Sequence, residues 1–392
     1  MDQHLQQIDH EYVANTYNRF PVEIVSGKGA IAKDEAGREY IDMGAGIGVT
    51  SFGYCDEVWK AAVTAQLGKV QHTSNLYYTE PCALLAQELC QRTGMKKVFF
   101  GNSGAEANEC AIKVARKYAA EKHGADHYTI LTLWNSFHGR TLTTLAATGQ
   151  DHYHELFQPL TPGFQMVHAG DFDEFKQACE KYKAAGILLE CIQGEGGVCD
   201  VPADYIQAVA AYCKEHDIVL MIDEVQTGNG RTGKLYSYMH YGIEPDVVTT
   251  AKGLGGGLPI GACLLGSKVE HVLGAGDHGS TFGGNPVVCA GALSILKRLD
   301  EAFLAQVAAK GDHMRAVLTG APGVEAVTGK GLMVGVKPAK PVEQVVQYCL
   351  EHGVLCLTAK DKVRLLPPLN IPEDALDKAL HVILAACADK KE

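Results

Sequence analysis

The chain has 392 residues, 46% of them hydrophobic and 21% charged, with a formal net charge of −11 at pH 7. That is the composition of a globular chain long enough for two to three domains, and its acidity argues against nucleic acid as a main partner, since phosphate binding calls for a basic face. No apolar run approaches the ~20 residues that span a bilayer, so no membrane partner is expected.

The polar, acidic opening "MDQHLQQIDHEY" reads as neither a secretory signal nor an Arg-rich transit peptide, and a cytoplasmic location is expected. Thirteen cysteines, an odd number without C-x-x-C spacing, read as small buried side chains in a reducing compartment. The sixteen histidines include no H-E-x-x-H, and no metal site is expected.

Taken in chain order, residues 30–43, "AIAKDEAGREYIDM", read as a hairpin turning at Glu35-Ala36-Gly37. From 97 to 265, apolar runs alternate with helical patterns. "KVFF" (97–100) leads into the helix-like "AEANECAIKVARKYAAEKH". It is followed by "TILTLW" (129–134), "GILLECI" (186–192), a helix near 204–216, "IVLMID" (218–223), "DVVTT" (246–250) and "IGACLL" (260–265). This alternation predicts an α/β fold, a mostly parallel central sheet flanked by helices, with its ligand at the carboxyl ends of the strands. The last ninety residues alternate helices (302–318, 342–352, 373–388) with the short strands "LMVGV", "VLCL" and "KVRLL". With the N-terminal segment they predict a smaller α+β domain. The expected boundaries are 1–55, 56–298 for the large domain, and 299–392.

Three features at strand ends carry chemistry. In "KKVFFGNSGAEANECAIK", Ser103 precedes Glu106 by three residues, a capping-box spacing, and Gly104-Ala105 open the helix. Free amides at a helix N-terminus suit a phosphate, although a plain capped helix looks the same. In "IVLMIDEVQTGNGRTG", Asp223 emerges after an apolar strand, where a carboxylate calls for a cationic partner. In "VVTTAKGLGGGLPIGA", Lys252 is the single charge. The glycines follow it and no Ser or Thr does, so this is not a P-loop; Pro259 and Ile260 lead into a strand, so it is not a dinucleotide-binding turn either. A desolvated amine with close access is a nucleophile suited to a Schiff base. Phosphate turn, carboxylate and lysine together match pyridoxal 5'-phosphate, which needs an anion site, a partner for its pyridine nitrogen and an amine for its aldehyde.

The chain resembles the class-III, fold-type-I aminotransferases nearly end to end, through "NTYNRFPV", "VQHTSNLYYTEP", "NSGAEANECAIKVARK", "NSFHGRTLTTLAATGQ", "IQGEGGV", "IDEVQTGNGRTGKLY", "TTAKGLGGGLPIGA", "GDHGSTFGGNPVVCAGAL" and "VRLLPPLNI". "HTSNLYY" and "HGSTFGGNP" are similar to the acetylornithine branch more than to the ornithine or 4-aminobutyrate branches. The resemblance implies that Lys252 holds the cofactor aldehyde and shuttles the proton. It gives Asp223 the pyridine nitrogen, Gln226 the phenolic oxygen and Phe137 of "SFHGR" the ring face, with His138 beside it. Ser103, Gly104 and Ala105 take the phosphate, with Thr281 donated from a second copy in a homodimer. On the substrate side, it implies that Arg140 holds the carboxylate of acetylornithine or the distal carboxylate of glutamate. Arg364 takes the α-carboxylate of 2-oxoglutarate, Glu195 masks Arg364 while the amine donor is bound, and Ser280 contacts substrate.

One departure stands out. The family's G-H-x-H-P is replaced by "GYCDEVW" from Gly53, expected to alter a turn away from the cofactor motifs. The implied reaction moves the δ-amino group of N2-acetylornithine to 2-oxoglutarate in arginine synthesis. Succinylornithine, N-acetyl-lysine, ornithine, succinyldiaminopimelate and 4-aminobutyrate are alternative amines. A nucleotide-binding oxidoreductase would need a helix after the glycines at 253–257, and a non-catalytic protein on the same fold would be expected to lack Lys252 or Asp223. Neither pattern is met.

Overall fold

Between residues 97 and 265 the apolar runs are too continuous for half-exposed strands. In the computed structural model, which describes residues 3–388, they form, together with one strand not expected from the sequence (β3), a seven-stranded sheet: β1 (Lys97–Gly101), β2 (Thr129–Leu133), β3 (Phe164–Val167), β4 (Ala184–Leu189), β5 (Val219–Asp223), β6 (Val247–Thr250) and β7 (Gly261–Leu265). The spatial order is β1-β7-β6-β5-β4-β2-β3. Every residue of β2, β4, β5, β6 and β7 is buried, as a sheet covered on both faces requires.

Alternate side chains of the strands feed two cores. Leu131, Ile187, Leu189, Leu220 and Ile222 face one layer, and Ile130, Leu188, Val219 and Met221 face the other. The helix Gly104–His123 covers the second face through Ala111, Val114 and Ala115, small residues that let it lie close to the sheet. Its first turn is fixed by Ser103, whose hydroxyl accepts from the amide of Glu106.

The sheet is mostly parallel, as expected, with β7 antiparallel to both of its neighbours. The reason is length. Only the ten residues 251–260 separate β6 from β7, and a parallel return needs a crossover of about a dozen or more. Direction therefore holds for all strands but β7, and the segments after β1, β2, β4, β5 and β6 share one edge.

The C-terminal helices Glu301–Leu318, Val342–Glu351 and Glu373–Ala388 accompany an antiparallel sheet in the order Val324–Lys330, Met333–Pro338, Lys362–Leu365, Leu357–Ala359. The predicted hairpin is present as Ile31–Asp34 and Glu39–Asp42, with Ile24–Lys28 added beside it. The run "VLCL" is not one strand. Val354–Leu355 pairs parallel with Glu39–Asp42, and Leu357–Ala359 pairs with Lys362–Leu365, so the chain changes sheets at Cys356.

The turn at "GYCDEVW" makes its own cap. Gly53 has φ +77, and a Cβ there would lie 2.4 Å from the carbonyl oxygen of Gly29. Asp56 accepts from the amide of Trp59 at the start of the helix Glu57–Leu67, and pairs with Arg298 at 2.8 Å. Nor is the turn remote from the lysine segment, as the sequence reading had it: Trp59 Nε1 donates to the carbonyl of Gly255 at 3.0 Å. Asp56→Ala removes the cap and the ion-pair partner together, so it is expected to destabilise the protein by about 1–2 kcal/mol. A lowered melting temperature in calorimetry checks this; an unchanged one contradicts it.

Candidate active site

Asp223, the last residue of β5, is 3% exposed. Its Oδ2 accepts from Asn108 Nδ2 and His138 Nδ1, both at 2.8 Å, and its Oδ1 accepts from the amide of Val225 at 2.9 Å. Asn108 lies one turn into the helix Gly104–His123, and its carbonyl accepts from Thr249 Oγ1 of β6 at 2.6 Å. His138 is held by its own amide, which donates to Thr148 Oγ1, while its Nε2 is buried with no partner among the described residues. With Nδ1 facing a carboxylate, that nitrogen is assigned the proton. One lone-pair direction of Oδ1 remains for a further donor.

The same helix supplies the anion end. The amides of Gly104 and Ala105 are its first two, positions with no carbonyl partner within the helix. A Cβ on Gly104 would sit 2.6 Å from Val225 Cγ1, so only glycine lets this turn close on the Asp223 segment. The "SFHGR" loop closes from the other side, where a Cβ on Gly139 would lie 2.9 Å from Ala105 Cβ. Phe137 is part-buried there, edge-on to Tyr153 with ring centroids 5.8 Å apart.

Lys252 follows β6 with φ +45, the left-handed region that costs a side-chain-bearing residue roughly 1–2 kcal/mol. The backbone is clamped before it and one peptide beyond it. Asn229 Nδ2 donates to the carbonyl of Ala251 and to Thr250 Oγ1, and Ser51 Oγ donates to the carbonyl of Gly253. Burial holds the Lys252 amine below the usual lysine pKa; Glu195, Asp223 and Glu190 oppose the shift and Arg364 adds to it.

Arg364 comes from the C-terminal sheet, paired across to Gly335 and Leu357. Its Nη1 donates to Glu195 Oε1 at 2.5 Å and to Gln226 Oε1 at 3.1 Å, and Gln226 Nε2 reaches Glu195 at 3.3 Å. Burial raises the Glu195 carboxyl, but the Arg364 guanidinium, with Lys252 and Gln226, more than reverses this and leaves it below the usual value.

These contacts make two groups, Asp223 with His138 and Asn108, and Glu195 with Gln226 and Arg364, and the charges of Asp223, Glu195 and Arg364 all act on Lys252. Others stand apart. Arg140 is exposed and lies over the Tyr153 ring at 4.5 Å. Ser280 is engaged by Asn102 Nδ2 through its hydroxyl and by Asn75 Nδ2 through its carbonyl, in a groove of about 650 Å³ beside residues 74–79. Thr281 is exposed next to it. The sequence reading missed Asn108, Asn229 and Glu190, a buried carboxylate just past β4. A polar residue on a helix face otherwise made of Ala107, Cys110 and Ala111 was the available signal for Asn108.

The residues fit pyridoxal phosphate. Unpaired helix amides could take the phosphate, the free side of Asp223 Oδ1 could take a ring N–H, and a desolvated lysine could take the aldehyde.

Comparison with known proteins agrees. The family description Aminotransferase class-III matches residues 12–387. The acetylornithine aminotransferase of Haemophilus ducreyi is 50% identical over 381 residues, 97% of each chain. That of Caldanaerobacter subterraneus subsp. tengcongensis is 43% identical over 96% of this chain and 97% of its own. Among solved structures, the ornithine aminotransferase of Toxoplasma gondii superposes with a TM-score of 0.93 at 31% identity, covering 97% of this chain and 94% of its own. The N-acetylornithine aminotransferase of Stenotrophomonas maltophilia gives 0.84 at 34%, covering 97% and 98%. The chain belongs to the class-III aminotransferases and is a pyridoxal-phosphate-dependent enzyme.

Proposed function

We propose that the enzyme moves the δ-amino group of N2-acetyl-L-ornithine to 2-oxoglutarate, giving N-acetyl-L-glutamate 5-semialdehyde and L-glutamate, a step of arginine biosynthesis. The name of the relatives supports the amine. The observation that carries the two-substrate reading is the 2.5 Å pair between Arg364 and Glu195. One pocket must accept an amine whose reacting end has no carboxylate and then an oxo acid that has one there. A guanidinium with its own movable carboxylate meets both demands: paired, it is not left as an unneutralised buried cation; released, it offers a bidentate site.

Pyridoxal phosphate, when bound, supplies an aldehyde for the substrate amine and a ring that takes up an electron pair. The rest falls to side chains. Asp223 holds the proton at the pyridine nitrogen, steadied by Asn108 and His138. Ser103, Gly104 and Ala105 hold the phosphate. Phe137 covers one ring face and Gln226 donates to the phenolic oxygen. The Lys252 amine would hold the cofactor aldehyde and, once displaced by the substrate amine, would take the proton from the substrate δ-carbon and return it to the former aldehyde carbon. Arg140 binds the carboxylate at the far end of either substrate, and Ser280 lies on the substrate path.

In this reading a second copy covers Leu76, Tyr77, Tyr78 and Phe282, which are 84%, 73%, 105% and 61% exposed, and contributes Thr281 to the phosphate. Such a cluster on one surface marks an interface. In this reading the small unit comprises 1–55 and 299–392, of which 1–2 and 389–392 lie outside the described residues, and the large unit comprises 56–298. A cytoplasmic location agrees with thirteen free cysteines. Among the described residues no helix is long and apolar enough to cross a membrane. Ornithine as donor is the second reading, favoured by the likeness to the Toxoplasma enzyme.

Arg364→Ala is expected to cut kcat/KM of the 2-oxoglutarate half-reaction about 100-fold or more while the amine half-reaction loses less than about tenfold. Equal losses in both contradict the role of Arg364. Asn229→Ala frees one side of the strained Lys252 backbone and is expected to lower kcat roughly tenfold, with KM for either substrate changed less. Steady-state kinetics check this, and an unchanged kcat contradicts the clamp.

A further inference from the structure

Glu190 follows the last residue of β4 and is 4% exposed. Its Oε1 accepts the amide of Phe137 at 2.9 Å, and its Oε2 accepts the amide of Gly194 at 3.2 Å. The first segment carries the residue assigned to the ring face. The second ends in Glu195. Gly194 is closed against Gln226, since a Cβ there would lie 2.3 Å from Gln226 Oε1, and Gln226 contacts both Glu195 and Arg364.

We propose that Glu190 is a positioning residue that ties the Phe137 segment to the Glu195 turn, so that the ring face and the Glu195–Arg364 pair are set by one carboxylate. This rests on the roles given above to Phe137, Glu195 and Arg364. Two neighbouring ties, Asn135 to the carbonyl of Gly196 and Gln193 to the carbonyl of Trp134, hold the same two segments, but through neutral groups. Glu190 alone among these ties can change its strength as an acceptor. Ionised, it accepts from both amides. Protonated, one oxygen carries an O–H and is a poorer, neutral acceptor for the amide it faces, so that tie is weakened.

Burial pushes the Glu190 carboxyl up to about 7; His138 acts against this and Asp223 adds to it. The charged and titratable groups facing it are His138 on the Phe137 loop, Asp223 at the end of β5, Lys252 after β6 and the neighbouring Cys191. Both ties are at full strength above about pH 7, and one is weakened as the pH falls through it. The sign for stability is opposite. The folded state keeps a proton that the unfolded carboxyl loses near its ordinary value of 4.5, so stability falls as pH rises from there to about 7.

The test compares wild type, Glu190→Gln and Glu190→Asp from pH 6 to 8, by single half-reactions and by melting of the apoprotein. Gln offers one acceptor at every pH. It is expected to lower kcat/KM for 2-oxoglutarate roughly tenfold at pH 8, to match wild type at pH 6, and to show no inflection between. The melting temperature of wild type relative to Glu190→Gln is expected to fall as pH rises. Asp keeps two oxygens on a shorter arm and is expected to lower kcat/KM while retaining the inflection, which carries the test if the Gln variant does not fold. A Gln variant that follows the wild-type pH profile overturns the proposal, as does one with a lower melting temperature and unchanged kcat/KM at pH 8. An Asp variant with a flat profile also overturns it. Variant-to-wild-type ratios are taken with the amine that wild type uses fastest. A different amine would therefore move the substrate reading and leave this test intact.

Discussion

The carboxylate of Asp223 is the point from which the rest of the site is laid out. It sits at the end of a wholly buried strand and receives three hydrogen bonds, from Asn108, His138 and the amide of Val225. Each donor fixes a different segment. Asn108 lies four residues after Gly104 on one helix, so the donor to Asp223 and the free amides of the first turn are held roughly 6 Å apart along the helix axis. His138 fixes the loop that carries Phe137 and Arg140. Val225 closes on Gly104, and that contact is why a side chain is excluded there.

The second constraint is charge. Glu195, Arg364, Asp223 and Glu190 all act on the buried Lys252 amine. Glu195 favours the charged form of Lys252 while Arg364 disfavours it. Movement of Glu195 off Arg364 would therefore change the environment of the lysine as well as expose the arginine. Strain enters at the same place. Lys252 is held in a left-handed backbone by Asn229 and Ser51, donors from two other parts of the chain.

What the sequence disclosed was local. Asp223 and Lys252 each end an apolar run, and Ser103 caps a helix three residues before Glu106; such signals survive without knowing the fold. Six of the seven strand positions in the central sheet followed for the same reason, because burial on both faces leaves an unbroken apolar run; the edge strand Phe164–Val167, only partly buried, gave no such run. Topology was less visible. "VLCL" looks like one strand because nothing in four apolar residues marks a change of sheet at Cys356. "GILLECI" likewise hides the end of β4 at Leu189, and with it the carboxylate of Glu190. Arg364 and Glu195 are 169 residues apart, and only the arrangement of two sheets puts them in contact. Family resemblance, not pattern, suggested that pair. Arg140, Ser280 and Thr281 were named by resemblance too, and they lie exposed or at the rim.

The central claim is that this strand edge transaminates acetylornithine. Holoenzyme would be mixed, with no oxo acid present, separately with N-acetylornithine, succinylornithine, ornithine and 4-aminobutyrate. The loss of the cofactor's visible absorbance would be timed for each. The fastest loss is expected with N-acetylornithine. Fastest loss with ornithine or another amine would contradict the substrate, and a protein that takes up no pyridoxal phosphate would contradict the role of Lys252 itself.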